Sequence, residues 1–294
     1  MNPEIQIRSL VAGEVEKILP LLNREFVFLR GRRLPLEKRY PDLFSPGNAG
    51  NCFAAFSNDG EILSFAAAEE RTLRNPTLKV FFVGCVFTDP AVRGRGLARK
   101  VMESLAETYR KKRFAAGYLW TGLNEFYETF GWRVSDRTTL MILRSVGKGK
   151  PNGCLPFTEK DAAVLADEHD GLLIRRPCDY FKVPPPADVP VGLKTARGGY
   201  LCGGIGQSAG YVYELHADDA DDLLVLLSSF AAKCDPRQEI WINLQPEQQG
   251  EIAWLKSHFP DVEIKHPALQ MNLIFSEEHQ VLLDRLNIPY LDRI

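Results

Sequence analysis

The chain has 294 residues, 45% hydrophobic and 25% charged, which suits two ordinary domains with buried cores and excludes a disordered tail or a disulfide-stapled miniprotein. Its six cysteines stand singly, without a C-x-x-C pair, which argues for reduced thiols in a cytoplasmic setting and against a zinc site. The net charge of −2 hides an asymmetry: residues 1–150 hold 24 Lys+Arg against 16 Asp+Glu (+8), and residues 151–294 hold 12 against 22 (−10).

The start, MNPEIQIRSL, lacks a basic segment followed by an apolar one, and no apolar run approaches ~18 residues, so neither a leader nor a membrane span is predicted. The five histidines show no H-x-x-x-H spacing, and no metal is expected. A basic first half suits a polyanionic ligand or docking on the acidic second half.

In chain order, Ile5–Ser9 reads as a strand and Ala12–Phe28 as a helix that Pro20 kinks or splits. LRGRRLPLEKRY follows, with Arg30, Arg32, Arg33, Lys38 and Arg39. Without a broad basic stripe elsewhere it reads as a solvated loop or a cleft rim rather than a nucleic-acid patch. Cys52–Ser57 and Ile62–Glu69 form a hairpin around Asn58-Asp59-Gly60. Leu78–Phe87 is a buried strand ending at Thr88. From Leu97 the apolar residues Leu97, Val101, Met102, Leu105 and Tyr109 recur at helical spacing. Gly117–Thr121 is a strand, Asn124–Phe130 a short helix, and Trp132–Ser135 with Thr138–Arg144 a closing hairpin. The pattern is α/β (α+β) around one sheet.

Between the buried strand and its helix lies TDPAVRGRGLA. Gly94 and Gly96 allow a sharp turn and close approach, Arg93 and Arg95 add charge, and a helix start offers unpaired N–H groups. This is a candidate phosphate cradle, with a plain surface turn as the alternative. Neither a Walker loop nor a dinucleotide fingerprint is present.

PAVRGRGLA resembles the acyl-CoA loop of the GNAT superfamily of N-acetyltransferases, R-x-x-G-x-A/G, through Arg93, Gly96 and Ala98, with Pro90 also matching. NEFYETFGW (Asn124–Trp132) is similar to the family's F-Y-x-x-x-G-F segment; a core aromatic cluster at a helix end is the alternative for Phe126 and Trp132. The resemblance covers residues 1–145. It implies acetyl-CoA as co-substrate and no metal. It further implies that Val86, Phe87 and Thr88 line the pantetheine arm and that Arg93, Gly94, Arg95, Gly96, Leu97 and Ala98 hold the pyrophosphate. Tyr127 then falls at the general-acid position, where a phenol of pKa ~10 is protonated at neutral pH. Asn124 either contacts the pantetheine or stabilises the helix start. The family's usual Glu on the strand before the loop is missing from Lys79–Thr88. Glu69 and Glu70 are the nearest carboxylates, and a solvent-facing strand end explains them equally. Cys85 reads as a packed residue rather than a nucleophile.

Ser145–Cys154 reads as a linker. The second half predicts a helix at Thr158–His169 and an irregular proline-rich stretch at Val183–Pro190. Strands follow at Val191–Ala196, Tyr200–Ile205 and Ala209–Leu215. A helix at Ala220–Ala232, a strand at Ile240–Leu244, a helix at Glu247–His258 and two further strands complete it. This order echoes the first half. At the place of the phosphate loop stands HADDADD (His216–Asp222), which would repel a pyrophosphate. The expected organisation is 1–146 catalytic, 147–157 linker and 158–294 a degenerate GNAT-like domain that shapes the acceptor cleft. The tandem arrangement resembles the first two domains of enhanced-intracellular-survival-type acetyltransferases. Those carry a third, sterol-carrier-like domain for which the residues to Ile294 leave no room. The tail HQVLLDRLNIPYLDRI has apolar residues able to pack back on the domains.

The predicted function is acetyl-CoA-dependent N-acetyl transfer to an amine, on a small molecule or a protein. A non-catalytic acyl-CoA sensor is the alternative from another class. Nucleic-acid and membrane partners are not expected, and a homo-oligomer is left open.

Overall fold

A computed structural model describes residues 5–144, 146, 153–168 and 172–294 of the chain. The first half runs β1 (Gln6–Ser9), α1 (Val15–Phe26), α2 (Leu36–Arg39), β2 (Cys52–Phe56), β3 (Ile62–Leu73), β4 (Leu78–Thr88), α3 (Leu97–Lys111), β5 (Ala116–Trp120), α4 (Asn124–Glu128), β6 (Arg133–Val134) and β7 (Thr139–Leu143). The second runs β8 (Leu155–Pro156), α5 (Glu159–Glu168), β9 (Val189–Lys194), β10 (Tyr200–Ile205), β11 (Ala209–His216), α6 (Ala220–Ala231), β12 (Glu239–Leu244), α7 (Gln249–His258), β13 (Glu263–Lys265), β14 (Gln270–Ile274) and α8 (Gln280–Arg285). The linker expected at 147–157 falls mostly outside the described residues. Pro20 does not split α1, which passes through it unbroken.

Two seven-stranded mixed sheets result. One has the order β1-β2-β3-β4-β5-β14-β6, the other β8-β9-β10-β11-β12-β7-β13. The same plan appears twice, six strands from one half and an inserted strand from the other. The expected hairpin of residues 132–135 with 138–144 does not form. β7 instead crosses to pair with β12 and β13, while β14 returns to lie between β5 and β6. Alternating hydrophobicity fixes which face a strand buries but not which strand lies beside it.

Alternation along β2 explains the two layers on the first sheet. Phe53 and Ala55 face α3 through Val101, Met102, Leu105 and Tyr109. Ala54 and Phe56 face α1 through Ile18 and Leu22, with Phe65 and Phe87 beside them. The tail packs back on this sheet, burying Leu283, Leu286 and Ile288 against Val80, Phe82 and Tyr118. Each such side chain contributes about 1.5–3 kcal/mol relative to exposure.

Ion pairs lock the halves together. Arg71 on β3 donates to both carboxylate oxygens of Asp179 at 3.0 Å, and Asp292 lies 3.4 Å away. Within the second half, Arg175 holds Asp292 at 2.6 Å and Glu214 at 2.6 Å, which fixes the carboxylate that Arg71 approaches. Arg39 is fully buried and donates to the carbonyls of Val183 and Ala187 and to Asp188. The pairing runs both ways: Arg39 and Arg71 of the first half meet acids of the second, while Arg176 and Lys182 of the second hold Glu69 of the first. Removing one partner of such a network leaves a buried charge uncompensated, which costs far more than an exposed pair gains.

Candidate active site

β4 and β5 run parallel, but only from Val80–Val83 opposite Ala116–Leu119. Beyond Val83 the two strands part. A bulge explains the parting: Phe65 pairs with Phe87 and Ala67 with Gly84, so Cys85 and Val86 together oppose Ala66. Cys85 takes a left-handed φ of 54° there. A Cβ on Gly84 would lie 3.0 Å from the Ile294 carbonyl carbon, so any larger residue here would push the tail back by a few tenths of an ångström. Among the described residues no side chain hydrogen-bonds the carbonyls of Gly84, Cys85 or Val86, and the parted edge of β4 stays available. The Cys85 thiol is pushed up to about 12 by burial, so it is no thiolate nucleophile at neutral pH.

β4 ends at Thr88, and Ser64 Oγ ties it down, bonding the Phe87 carbonyl at 2.7 Å and the Thr88 hydroxyl at 2.9 Å. Asp89 then accepts from the Ala91 amide at 2.8 Å, which shapes the turn. Gly94 and Gly96 have φ of 78° and 73°, with no atom within 4 Å of where a Cβ would stand. Gly96 is the N-cap of α3, and no side chain caps that end. Arg93, Gly94, Arg95 and Gly96 are exposed. Arg93 curls back, Nε donating to the Thr88 carbonyl at 3.1 Å. The loop therefore offers uncapped helix amides, open space beside two glycines and two arginines, a donor set that fits a pyrophosphate.

Tyr127 on α4 is buried, in the same apolar cluster against which Val86 packs. Its ring meets Phe126, Phe130 and Trp132 edge-on or tilted. Burial pushes its phenol well above the usual value, so the proton stays on through neutral pH. Trp132 is core as the sequence alternative held, whereas Phe126 is exposed. Asn124 does not cap α4; Leu123 holds the N-cap position. Asn124 Nδ2 bonds the Ala268 carbonyl at 3.1 Å, joining α4 to the segment before β14, and its buried Oδ1 has no partner.

The two carboxylates considered as bases are otherwise engaged. Glu69 does not end a solvent-facing strand; β3 runs on to Leu73 and Glu69 is buried. Arg71, Arg176 and Lys182 hold its carboxylate at 2.9, 3.2 and 3.4 Å. Glu70 pairs with Lys112 at 3.2 Å, on the α3 face.

Sequence reasoning missed the cavity that opens beside the parted strands. It has a volume of about 360 Å³, and its walls include Cys85, Trp120, Tyr40 and Phe26 from the first half. Pro184, Pro185, Tyr290 and Arg293 come from the second. Tyr127 is not in these walls. The only signal in the sequence was the Arg30–Arg39 segment read as a cleft rim, since Arg30 and Arg32 do line the cavity. Among the described residues no three His, Cys, Asp or Glu side chains group as a metal site, and no helix is long and apolar enough to cross a membrane.

Residues 6–135 match the family described as Acetyltransferase (GNAT) domain. No curated protein matches the chain. Solved structures share the fold. A GCN5-related N-acetyltransferase from Kribbella flavida aligns with TM-score 0.63 and 16% identity over 92% of this chain and 71% of that one. Eis1 from Mycobacterium abscessus gives 0.59 and 14% over 92% and 73%. A putative acetyltransferase from Pyrococcus horikoshii gives 0.61 and 16% over 98% and 95%. These alignments span both halves, so the whole chain has the tandem GNAT-like fold.

Proposed function

We propose, from the match of residues 6–135 to the GNAT acetyltransferase domain, that the chain transfers acetyl from acetyl-CoA directly to an amine nitrogen. One observation carries the reading: β4 parts from β5 and leads into an uncapped, glycine-lined helix start flanked by Arg93 and Arg95. Acetyl-CoA supplies the activated acyl group. The amides of Arg93, Gly94, Arg95, Gly96, Leu97 and Ala98 would hold its pyrophosphate, and the free edge of Val86, Phe87 and Thr88 would take the pantetheine amides. Asn124, with its unpaired Oδ1, is the further contact. Tyr127 keeps its proton and would give it to the departing sulfur as general acid.

The test is Tyr127→Phe with thiol release as readout. Turnover should fall about 100-fold or more, in keeping with the loss of a general acid, with CoA affinity little changed. Because burial raises the phenol, the wild-type rate should show no decline from Tyr127 ionising up to pH ~10. Unchanged turnover in the variant removes Tyr127 from the mechanism.

A second reading, an acyl-CoA sensor without turnover, is favoured by the engagement of Glu69 and Glu70 in ion pairs. A panel of amines with acetyl-CoA separates the two, since a sensor releases thiol with none of them.

A further inference from the structure

The cavity beside Cys85 has an unusual electrostatic make-up. Arg30, Arg32 and Arg293 are in its walls, and no Asp or Glu side chain is. Arg30 lies over the Phe26 ring at 5.1 Å. Arg32 Nη1 spends one donor on the Phe26 carbonyl at 3.2 Å. Among the described residues neither guanidinium has a carboxylate partner. Burial, and after it the neighbouring Arg30 and Arg39, holds Arg32 below the usual guanidinium value.

Arg293 is more constrained still. It is 4% exposed and sits over the rings of Trp120 at 5.7 Å and Tyr290 at 4.9 Å. Its Nη2 bonds Thr138 at 2.8 Å, while Asp136 stands 3.6 Å off. Its Nε is buried without a partner, and so is Nε1 of Trp120. The wall thus holds unpartnered donors at Arg293 Nε and Trp120 Nε1 and positive charge without a carboxylate partner at Arg30 and Arg32, a combination that favours a bound acceptor of hydrogen bonds with negative charge.

The second half is acidic overall, but its contribution to this wall is Pro184, Pro185, Leu269, Tyr290, Arg293 and Ile294, with no Asp or Glu side chain among them. On the acetyltransferase reading above, we propose that the acceptor is a small amine carrying a carboxylate or phosphate on an apolar or aromatic body, bound in this cavity. Phe26, Trp120 and Tyr290 take the apolar body, and Arg30 and Arg32 take the anion, with the unpartnered Nε of Arg293 as a further donor. The same charges disfavour an ammonium, so the amine enters as the free base, losing its proton to water before it attacks. A polycation is excluded on the same ground, since like charges across a binding surface cost several kcal/mol.

The experiment compares matched acceptors by thiol release: aromatic amino acids against their methyl esters, an amino-sugar phosphate against the free amino sugar, and polyamines. The acid forms should exceed their neutral partners in kcat/KM by at least about tenfold, which corresponds to ~1.4 kcal/mol. Preference among the acids then separates carboxylate from phosphate. In Arg30→Gln and Arg32→Gln that preference should shrink while KM for acetyl-CoA stays unchanged. Polyamines or esters as the better acceptors would overturn the proposal.

Direct binding keeps the site testable if no amine is acetylated. Calorimetry with N-acetylphenylalanine and its amide, on the wild-type chain and the two variants, reads the anion preference without turnover. Selective binding of the acid, weakened in the variants, upholds the anion site even if the transferase reading fails. Equal binding of acid and amide, or no binding of either, refutes it.

Discussion

Two strand-to-helix bends occupy the same place in the two sheets, β4 into α3 and β11 into α6, and they are finished in opposite ways. In the first, Gly96 caps α3 with backbone alone, and the amides face open space between two arginines. In the second, Asp219 caps α6, accepting from the Asp222 amide at 2.8 Å and pairing with Arg197 at 2.7 Å. Asp222 is buried and accepts from Thr195 at 2.7 Å. The gap between the parallel strands differs too. Beyond Val212, Asn243 bonds the Val212 carbonyl at 3.2 Å and Gln248 bonds that of Leu215 at 2.8 Å, closing the space that stays open beside Gly84–Val86. One bend leaves its hydrogen-bonding capacity for a ligand, and the other has spent it on its own side chains. A shared fold thus becomes a ligand site only where its polar groups are left unpaired.

The largest expected effect comes from treating the two bends as separable pieces. A fragment of residues 1–146 lacks β14, which pairs with β5 from Ala116 to Trp120 and with β6. It also carries β7, which has no partner there. The fragment should aggregate or melt without a cooperative transition, as unpaired apolar edges do. A soluble monomer with a sharp melt would show that the halves fold alone and that the strand exchange is incidental.

The next effect is on the cofactor. Arg93→Asp with Arg95→Asp gives the first bend the charge of the second. Coenzyme A affinity should fall on the order of 100-fold, consistent with the several kcal/mol cost of facing like charges. No loss would mean that the amides and glycines carry the site and charge is secondary, whereas a loss that added salt reduces is the mark of charge. Circular dichroism of the double variant should match the wild type, because both positions are exposed.

Much of the first bend was legible in the sequence. The end of β4 at Thr88 and the start of α3 at Leu97 follow from the change of hydrophobic period, and the glycines between from the turn. The self-capped second bend was legible as charge, since four aspartates beside a helix start repel phosphate. The strand exchange was not, because β7 and β14 read equally well beside either neighbour. Glu69 was misread because its buried partners Arg71, Arg176 and Lys182 are scattered along the chain and have no sequence period. The anion-favouring wall was hidden for the same reason. It draws Arg30, Trp120, Tyr290 and Arg293 from distant segments, and the acidic total of the second half pointed the other way.

The smallest effect separates the cap from the charge in the second bend. Asp219→Ala removes an N-cap and should lower Tm by about 2–4 °C, with coenzyme A affinity unchanged. Asp219→Asn keeps the capping oxygen and should recover most of the loss, because an exposed carboxylate adds little beyond its hydrogen bond. The pH dependence carries a defined sign. The Asp222 amide holds the Asp219 carboxyl below its ordinary value, with Arg197 assisting. Its contribution is therefore full above the unfolded pKa of ~3.9 and is lost as pH falls through the lower folded value. The gap in Tm between wild type and Asp219→Ala should accordingly be constant from neutral pH to about pH 5 and narrow below pH ~4. If Asp219→Ala instead weakened coenzyme A binding, the second bend would take part in the cofactor site, and the contrast between an open and a self-satisfied helix start would no longer separate the two halves.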